Sequence, residues 1–293
     1  VISGTGKNDD SGYGYGIYNS GTMKNITNRG LISGTGTGYG IYNSLGTIGD
    51  ITNAGITNAG IINGYGNSTS GKGTGYGIYN YKSEMENITN AGLISGTGNS
   101  TGGDGIGYGI NNDSDDKEMG DITNTGIISG AGISTGGDGY GYGIYNKSGT
   151  IGDITNAGLI NVYAASTSTA FASGIFTDSN ATKIGNITNT GVISGYGNGL
   201  DSGSVSGSSI ALAFGINNGA GTIGDITNAG IISSAGTATS FFAGAGICNS
   251  GDSKQMGSIT NTGVIYGTSN AIKKDNGTIG ASSNYGILVN GDS

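Results

Sequence analysis

The chain has 293 residues but no proline, no tryptophan, no histidine and a single cysteine. Without histidine, catalytic triads, histidine general bases and histidine metal sites are excluded. Because Cys248 is alone, no disulfide can form within the chain. Because proline is absent, the backbone N–H groups remain available for long, uninterrupted strand ladders.

Charge is also sparse, and positive charge is the rarer sign. Lys and Arg number 11 against 19 Asp and Glu, which gives a formal net charge of −8. Since no basic cluster is present, we predict no nucleic-acid partner and no electrostatic attachment to an anionic membrane. No apolar run is long enough to span a bilayer, and residues 1–4 do not read as a signal peptide, so we predict no direct membrane insertion by this segment.

What the chain has in abundance is glycine, with 65 residues, and a repeated phrase. Ile-Thr-Asn starts at positions 26, 51, 88, 122, 154, 187, 226 and 259, at intervals of 25 to 39 residues. A further copy at 56–58 reads as a local tandem duplication. Gly-Ile-Tyr-Asn precedes this phrase in many repeats, and Ile-Ser-Gly follows it. Repetition on this scale is typical of a solenoid, in which each repeat contacts only its neighbours.

Each repeat contains three short segments of β character bounded by Asn, Gly and Ser, and helical periodicity is absent. We therefore predict an all-β parallel β-helix of about eight to nine coils, with three short strands per coil and loops of variable length between coils. Residues 1–293 form one continuous solenoid segment in this interpretation. Residues 1–6 match the close of a repeat and residues 286–290 the opening of another, so we expect a piece cut mid-repeat at both ends from a longer polypeptide.

Aligning the repeats stacks the last residue of each Ile-Thr-Asn phrase. Stacked asparagines at a strand end can hydrogen-bond to one another along the rod, and Asn tolerates turn geometry. We predict a structural ladder formed by Asn28, Asn53, Asn90, Asn124, Asn156, Asn189, Asn228 and Asn261.

Tyrosines share a second register, with interruptions by other residue types. Two interpretations stay open: aromatic stacking along the rod, or a strip on which carbohydrate stacks. The tyrosines concerned are Tyr18, Tyr42, Tyr79 and Tyr145.

Acidic residues offer few candidates for chemistry. The three glutamates, Glu84, Glu86 and Glu118, lie in variable linkers, and Asp113, Asp115 and Asp116 are the best candidates for weak Ca²⁺ binding. One slot, directly before Ile-Thr-Asn, holds Asp in four repeats and Asn or Ser in others, which favours a solvated face over an active site. The four are Asp50, Asp121, Asp153 and Asp225. We predict no catalytic residue, no metal site and no cofactor, and hence no enzyme.

Composition shifts at residues 162–176 and 209–248, where Ala, Ser, Thr and Phe become common. A local thickening of the core and a lateral contact surface both account for this shift.

The run at residues 221–233, Gly-Thr-Ile-Gly-Asp-Ile-Thr-Asn-Ala-Gly-Ile-Ile-Ser, and its near-copy at 46–55 resemble the passenger repeats of bacterial autotransporter and filamentous-haemagglutinin-like surface proteins. The resemblance extends over residues 12–267. It implies a right-handed parallel β-helix, secretion from a Gram-negative-type cell, and a surface role such as adhesion or aggregation. It carries no catalytic residue to this chain.

These observations predict a structural extracellular or cell-surface stalk or fibre of an autotransporter-like adhesin. The alternatives are a subunit of a self-assembling extracellular filament, sheath or surface layer, and a polysaccharide-degrading β-helix. The expected partners are other copies of the chain, or a glycan or protein on a host or cell surface. The expected location is extracellular, on the bacterial cell surface.

Overall fold

A computed structural model describes residues 1–6, 12–48, 56–178, 182–200, 209–251, 255–275 and 277–291. These residues form 34 β-strands. Across the same ranges no helix suited to crossing a membrane occurs. Strands pair in parallel with their counterparts in the preceding and following repeats, as Ile122–Asn124 does with Ile154–Asn156. The prediction of an all-β parallel solenoid is therefore confirmed.

The paired strands form four ladders, named here by their sequence phrase or length. The opening ladder carries Gly-Ile-Tyr-Asn and contains Tyr13–Asn19, the second half of Leu31–Ser44, Gly73–Tyr81, the first parts of Gly105–Met119 and Gly139–Ile151, Thr169–Thr177, Ile210–Asn218, Phe241–Asn249 and Asn270–Lys274. The short ladder contains Thr22–Met23, Thr47–Ile48, Glu84–Met85, the ends of Gly105–Met119 and Gly139–Ile151, Lys183–Ile184, Thr222–Ile223, Gln255–Met256 and Thr278–Ile279.

The other two ladders follow in chain order within each repeat. The Ile-Thr-Asn ladder contains Ile26–Asn28, Ile56–Asn58, Ile88–Asn90, Ile122–Asn124, Ile154–Asn156, Ile187–Asn189, Ile226–Asn228, Ile259–Asn261 and Ser282–Asn284. The Ile-Ser-Gly ladder contains Ile2–Thr5, the first half of Leu31–Ser44, Ile61–Ser68, Leu93–Ser100, Ile127–Ser134, Leu159–Ser166, Val192–Gly199, Ile231–Thr237, Val264–Gly267 and Ile287–Asn290.

The structure has four strands per coil, one in each ladder, whereas three were predicted. The difference arises because the Thr-Ile-Gly-Asp-Ile-Thr-Asn segment forms two strands rather than one. Ile151 and Ile154 are both fully buried. Two residues three positions apart in one extended strand point to opposite faces. The chain turns a corner at Gly152 and Asp153, outside any strand, and both isoleucines then point inward.

The core consists of four columns, one from each ladder, formed mainly by isoleucine; Met85, Met119 and Met256 replace it in the short ladder. Ile144, Ile151, Ile154 and Ile160 represent the opening, short, Ile-Thr-Asn and Ile-Ser-Gly ladders in one stretch of the chain, and each is fully buried. Burial of each such side chain contributes about 1.5–3 kcal/mol. Because the same columns continue from repeat to repeat, the core is continuous along the described rod.

A second interior layer is built from glycine, where each Ile-Ser-Gly strand faces the following opening strand. A methyl group added at Gly130 or Gly132 would overlap the backbone oxygen of Tyr142 or Tyr140. Stacked sheets ordinarily lie about 10 Å apart, but here the two backbones are in direct contact. We call this layer the glycine seam.

The glycine seam widens in the middle of the chain, where larger residues replace glycine. A second buried cluster forms there from Val162, Ala164, Ala170, Ala172 and Ala211. This cluster accounts for the alanine-rich composition of residues 162–176 as added interior volume. Phe241, by contrast, is 55% exposed.

Two registers differ from the sequence prediction. Ile56–Asn58, interpreted as a tandem duplication, pairs directly with both Ile26–Asn28 and Ile88–Asn90, whereas residues 51–53 lie outside the described residues. Ile287–Asn290, interpreted as the start of an opening phrase, pairs with Val264–Gly267 in the Ile-Ser-Gly ladder. The strand that follows Phe241–Asn249 in the opening ladder is Asn270–Lys274.

Candidate functional site

The asparagines of the Ile-Thr-Asn ladder form a continuous column, which is buried from Asn28 to Asn261. Each side-chain amide donates to the side-chain oxygen of the next asparagine at 2.7–2.9 Å. Of the predicted residues, Asn53 lies outside the described part of the chain, and Asn58 occupies the position between Asn28 and Asn90. The column in order is Asn28, Asn58, Asn90, Asn124, Asn156, Asn189, Asn228, Asn261 and Asn284.

This column lies at a corner where the chain leaves one ladder for the next. A buried amide costs free energy unless its donors and its acceptor are paired. Asn156 satisfies this condition: it accepts from Asn124 at 2.8 Å, and its amide group donates to Asn189 and to the backbone oxygens of Gly158 and Val192. Each asparagine therefore joins three consecutive repeats and the backbone of the corner.

A second asparagine column, which the sequence analysis missed, ends the opening strands. Its side chains bond in the same way at 2.8–3.0 Å, and Asn218 continues to Asn249 at 2.9 Å. The sequence signal was the spacing Ile-x-Asn, which Gly-Ile-Tyr-Asn shares with Ile-Thr-Asn. Thr177 interrupts the column and donates to Asn218. The first five members are Asn19, Asn43, Asn80, Asn112 and Asn146.

Serines provide a third column, at the far ends of Ile-Ser-Gly strands. Ser100 donates to the backbone oxygen of Gly71 in the preceding repeat at 2.7 Å and accepts from the N–H of Gly103 at 2.9 Å. Ser134 and Ser166 donate in the same way, at 2.6 and 2.7 Å. These hydroxyls thus connect the turns of neighbouring repeats.

The slot before Ile-Thr-Asn also connects repeats. Asp121 accepts from the backbone N–H of Asp153 at 2.8 Å, and Asp153 accepts from that of Asn186 at 2.7 Å. Asn186 and Asp225 continue the pattern. The slot needs a side-chain oxygen rather than a charge, which explains why Asn replaces Asp there. Asp50 lies outside the described residues.

The tyrosines form two columns rather than one. Tyr18, Tyr42 and Tyr79 are in register, as predicted, and Asn111 separates them from Tyr145. The second column, which was missed, runs beside it and contains Tyr15, Tyr39, Tyr76, Tyr108 and Tyr142.

Most rings of the two columns are stacked face to face; Tyr18 is the exception and meets Tyr15 and Tyr42 edge to face. Neighbouring rings such as Tyr39 and Tyr76 lie 4.8 Å apart with planes 2° from parallel, and the two columns touch at 4.7 Å between Tyr76 and Tyr79. Phe176 extends the stack beyond Tyr145. Because the faces of neighbouring rings cover one another, the parts of these tyrosines that contact solvent are mainly the ring edges and the hydroxyl groups. A sugar stacks on ring faces, so this geometry favours the aromatic-stacking interpretation over a carbohydrate strip.

Burial disfavours the ionised form of the buried phenols. Desolvation raises the pKa of Tyr76 and of Tyr108 well above the ordinary value. The pKa of Tyr145 is raised by burial and also by its hydrogen bond to Asp178, at 2.6 Å. Burial likewise raises the pKa of the Cys248 thiol to about 11.

The aspartates considered for Ca²⁺ binding include two that are paired with other side chains. Asp113 accepts from Ser148 and pairs with Lys147, both at 2.8 Å, and Asp115 lies 3.7 Å from Lys82. Within the described ranges, no group of three or more Asp, Glu or Cys residues is placed to hold a metal ion. The sequence analysis placed the three glutamates in linkers, but Glu84 and Glu118 lie in neighbouring strands of the short ladder. Together with Glu86 they line one cavity of about 100 Å³.

Fold and site together define a parallel β-solenoid whose corners and turns are linked by columns of asparagine, serine and aspartate side chains. Comparison with known protein families, with curated proteins and with solved structures found no match.

Proposed function

We propose that this chain is a structural segment of an extracellular or cell-surface stalk or fibre. The single observation that carries the proposal is the continuity of the asparagine column in the Ile-Thr-Asn ladder. Each Asn–Asn bond joins one repeat to the next, so stretching the rod along its axis must break these bonds together with the backbone ladders. Such a rod transmits force and holds its loops at a distance from its base.

The solenoid is right-handed in this proposal. The support is general: connections between parallel strands in one sheet are right-handed in about 98% of cases. The proposed rod has about eight to nine coils, which agrees with the nine strands of the Ile-Thr-Asn ladder. At about 4.8 Å per coil, this piece is on the order of 40 Å long.

The proposed setting is a bacterial cell surface, in a protein of the autotransporter or filamentous-haemagglutinin type. Its support is the sequence resemblance over residues 12–267. A self-assembling filament, sheath or layer is the second candidate, and a specific surface feature, given below, favours it. Partners in either setting are copies of the chain, or a glycan or protein at a cell surface.

Two measurements test the proposal. Single-molecule pulling of the chain along the rod axis should give a regular series of force peaks, each releasing the length of about one repeat. Asn156→Ala should lower the peaks for the repeats it joins, whereas Thr155→Ala, on the exposed side of the same strand, should not. Smooth extension without peaks would refute the mechanical role.

Location is tested separately by immunogold electron microscopy of the source cells with antibody to this chain. Gold particles on surface projections support the proposed setting. Gold particles confined to the cell interior would overturn it.

A further inference from the structure

One exposed column of the rod is aliphatic in every repeat. In the strands of the Ile-Ser-Gly ladder that begin at Leu31 to Val264, the first residue points outward, while the second, such as Ile62 or Ile128, is buried. The outward residues Ile61, Ile127 and Ile231 are 41–43% exposed, and the others are half-buried or exposed. In register these nine residues, the aliphatic stripe, are Leu31, Ile61, Leu93, Ile127, Leu159, Val192, Ile231, Val264 and Ile287.

Core packing does not require this stripe, because the corresponding outward position of the Ile-Thr-Asn ladder is threonine. Thr89, Thr123 and Thr155 are exposed and carry no large apolar group. A single exposed leucine is ordinary. An unbroken row of nine is a contiguous apolar patch, which marks an interaction surface.

The rest of this face carries no charge. From Leu31 to Thr237, the next outward positions beside the stripe hold Ser or Asn, and the positions after them hold Thr, Tyr or Ala; examples are Ser95, Ser129, Thr97 and Ala131. In the last two strands Tyr266 and Val289 follow the stripe residue on this face. The chain as a whole has a net charge of −8. Like-charged copies repel one another at faces that carry carboxylates, so this uncharged face is where two copies can approach.

Polar groups on the face are largely paired with one another. Ser95 donates to Asn63 at 2.9 Å, and Ser194 donates to Asn161 at 2.8 Å. Asn99 donates to the hydroxyl of Tyr65 at 2.9 Å. Covering the face therefore leaves few of these groups newly unpaired, which lowers the cost of removing water.

From these observations we infer that the aliphatic stripe and its neighbouring columns form a side-by-side contact between two copies of this chain. The match of periods favours a second copy over other partners: both stripes repeat at about 4.8 Å, so the side chains of one can interdigitate with those of the other along the whole rod. Three outward columns about 7 Å apart and nine repeats long present on the order of 800 Å², the area that each partner contributes to a standard interface.

The inference rests on the rod shape of the proposed function but not on the cellular location. It predicts a reversible dimer of twice 28.7 kDa in sedimentation equilibrium, with rods lying in pairs in negative-stain electron microscopy. The test variant is Leu93→Glu with Ile127→Glu and Leu159→Glu. Its matched control is Thr89→Glu with Thr123→Glu and Thr155→Glu, which adds the same charge to the same repeats on the adjacent face.

We expect the stripe variant to be monomeric, with the dissociation constant of the dimer raised at least about 100-fold. The control should pair like the wild type. A second variant, Leu93→Thr with Ile127→Thr and Leu159→Thr, removes the aliphatic groups without adding charge and should also be monomeric. Circular dichroism of each variant verifies that the solenoid remains folded.

A monomeric wild type, or a folded stripe variant that pairs as tightly as the wild type, overturns the inference. Binding of the monomer to neutral lipid vesicles, without self-association, would assign the stripe to a lipid surface and also overturns it. Because these outcomes concern mass in solution, they leave the pulling experiment on the single rod unaffected.

Discussion

The most demanding prediction concerns the replacement of Asn156 by aspartate. The substitution preserves shape but exchanges the donor amide for a second oxygen. Three bonds lose their donor, to Asn189 at 2.8 Å, to the oxygen of Val192 at 3.0 Å and to that of Gly158 at 3.2 Å. The new oxygen faces the acceptor of Asn189 in a fully buried position.

The magnitude follows from these contacts. Each lost bond contributes about 1 kcal/mol net, and a buried carboxylate that keeps only the Asn124 amide as its donor costs about 3 kcal/mol or more. We therefore expect Asn156→Asp to lower the free energy of unfolding by at least about 4 kcal/mol at neutral pH. Asn156→Ala should cost less, about 2–3 kcal/mol, because it leaves partners unpaired but buries no charge. Thr155→Asp, on the exposed side of the same strand, should stay within about 0.5 kcal/mol of the wild type.

The assay combines urea unfolding, followed by circular dichroism, with hydrogen exchange of peptides from the neighbouring strands. Since repeats interact only with their neighbours, lost protection should centre on Ile122–Asn124 and Ile187–Asn189. Lowering the pH should reduce the damage in Asn156→Asp, because a protonated carboxyl can donate again. If Asn156→Asp and Thr155→Asp unfold within about 1 kcal/mol of each other at neutral pH, the asparagine column does not stabilise the rod as argued.

Three further predictions concern other parts of the structure. Thr177→Asn should complete the second asparagine column between Asn146 and Asn218 and raise the free energy of unfolding by about 1 kcal/mol, which urea unfolding measures; a loss of stability would contradict it. Gly132→Ala should lower the free energy of unfolding by about 3 kcal/mol or more, because the added methyl group overlaps the Tyr140 backbone oxygen. Its control is Gly197→Ala, at the same register position but with the nearest neighbour 3.2 Å away, which should cost less than about 1 kcal/mol. Equal losses of stability in thermal melts would refute the glycine seam. The rod should lose stability as the pH rises above about 10, because the unfolded chain then releases phenolic protons that the folded chain retains. The free energy of unfolding should fall by about 1.4 kcal/mol per pH unit for each buried tyrosine. Unfolding free energies that stay constant over this pH range would contradict the prediction.

Some of the side-chain columns can be predicted from the local sequence pattern alone. Alternation of side chains along an extended strand accounts for the buried isoleucine, the outward threonine and the inward asparagine of Ile-Thr-Asn. The same rule applied to Gly-Ile-Tyr-Asn predicts the second asparagine column as well. Tyr15 and Tyr18, however, lie three residues apart and still contact each other edge to face, with ring centroids 5.3 Å apart, because the ladder pairing is interrupted at the intervening Gly16.

The sequence by itself determined that this protein is a repeat of parallel strands with an isoleucine core and stacked asparagines, because every repeat carries the same residues at the same phase. Only the tertiary structure decided that Ile56–Asn58 pairs with Ile26–Asn28, that glycines meet across a seam, and that Ile127 is exposed while Ile128 is buried. The physical reason is that these outcomes depend on where the chain turns its corners and on which strands meet across the interior. Two adjacent aliphatic residues look alike in a sequence, and only the closed rod distinguishes its inside from its outside.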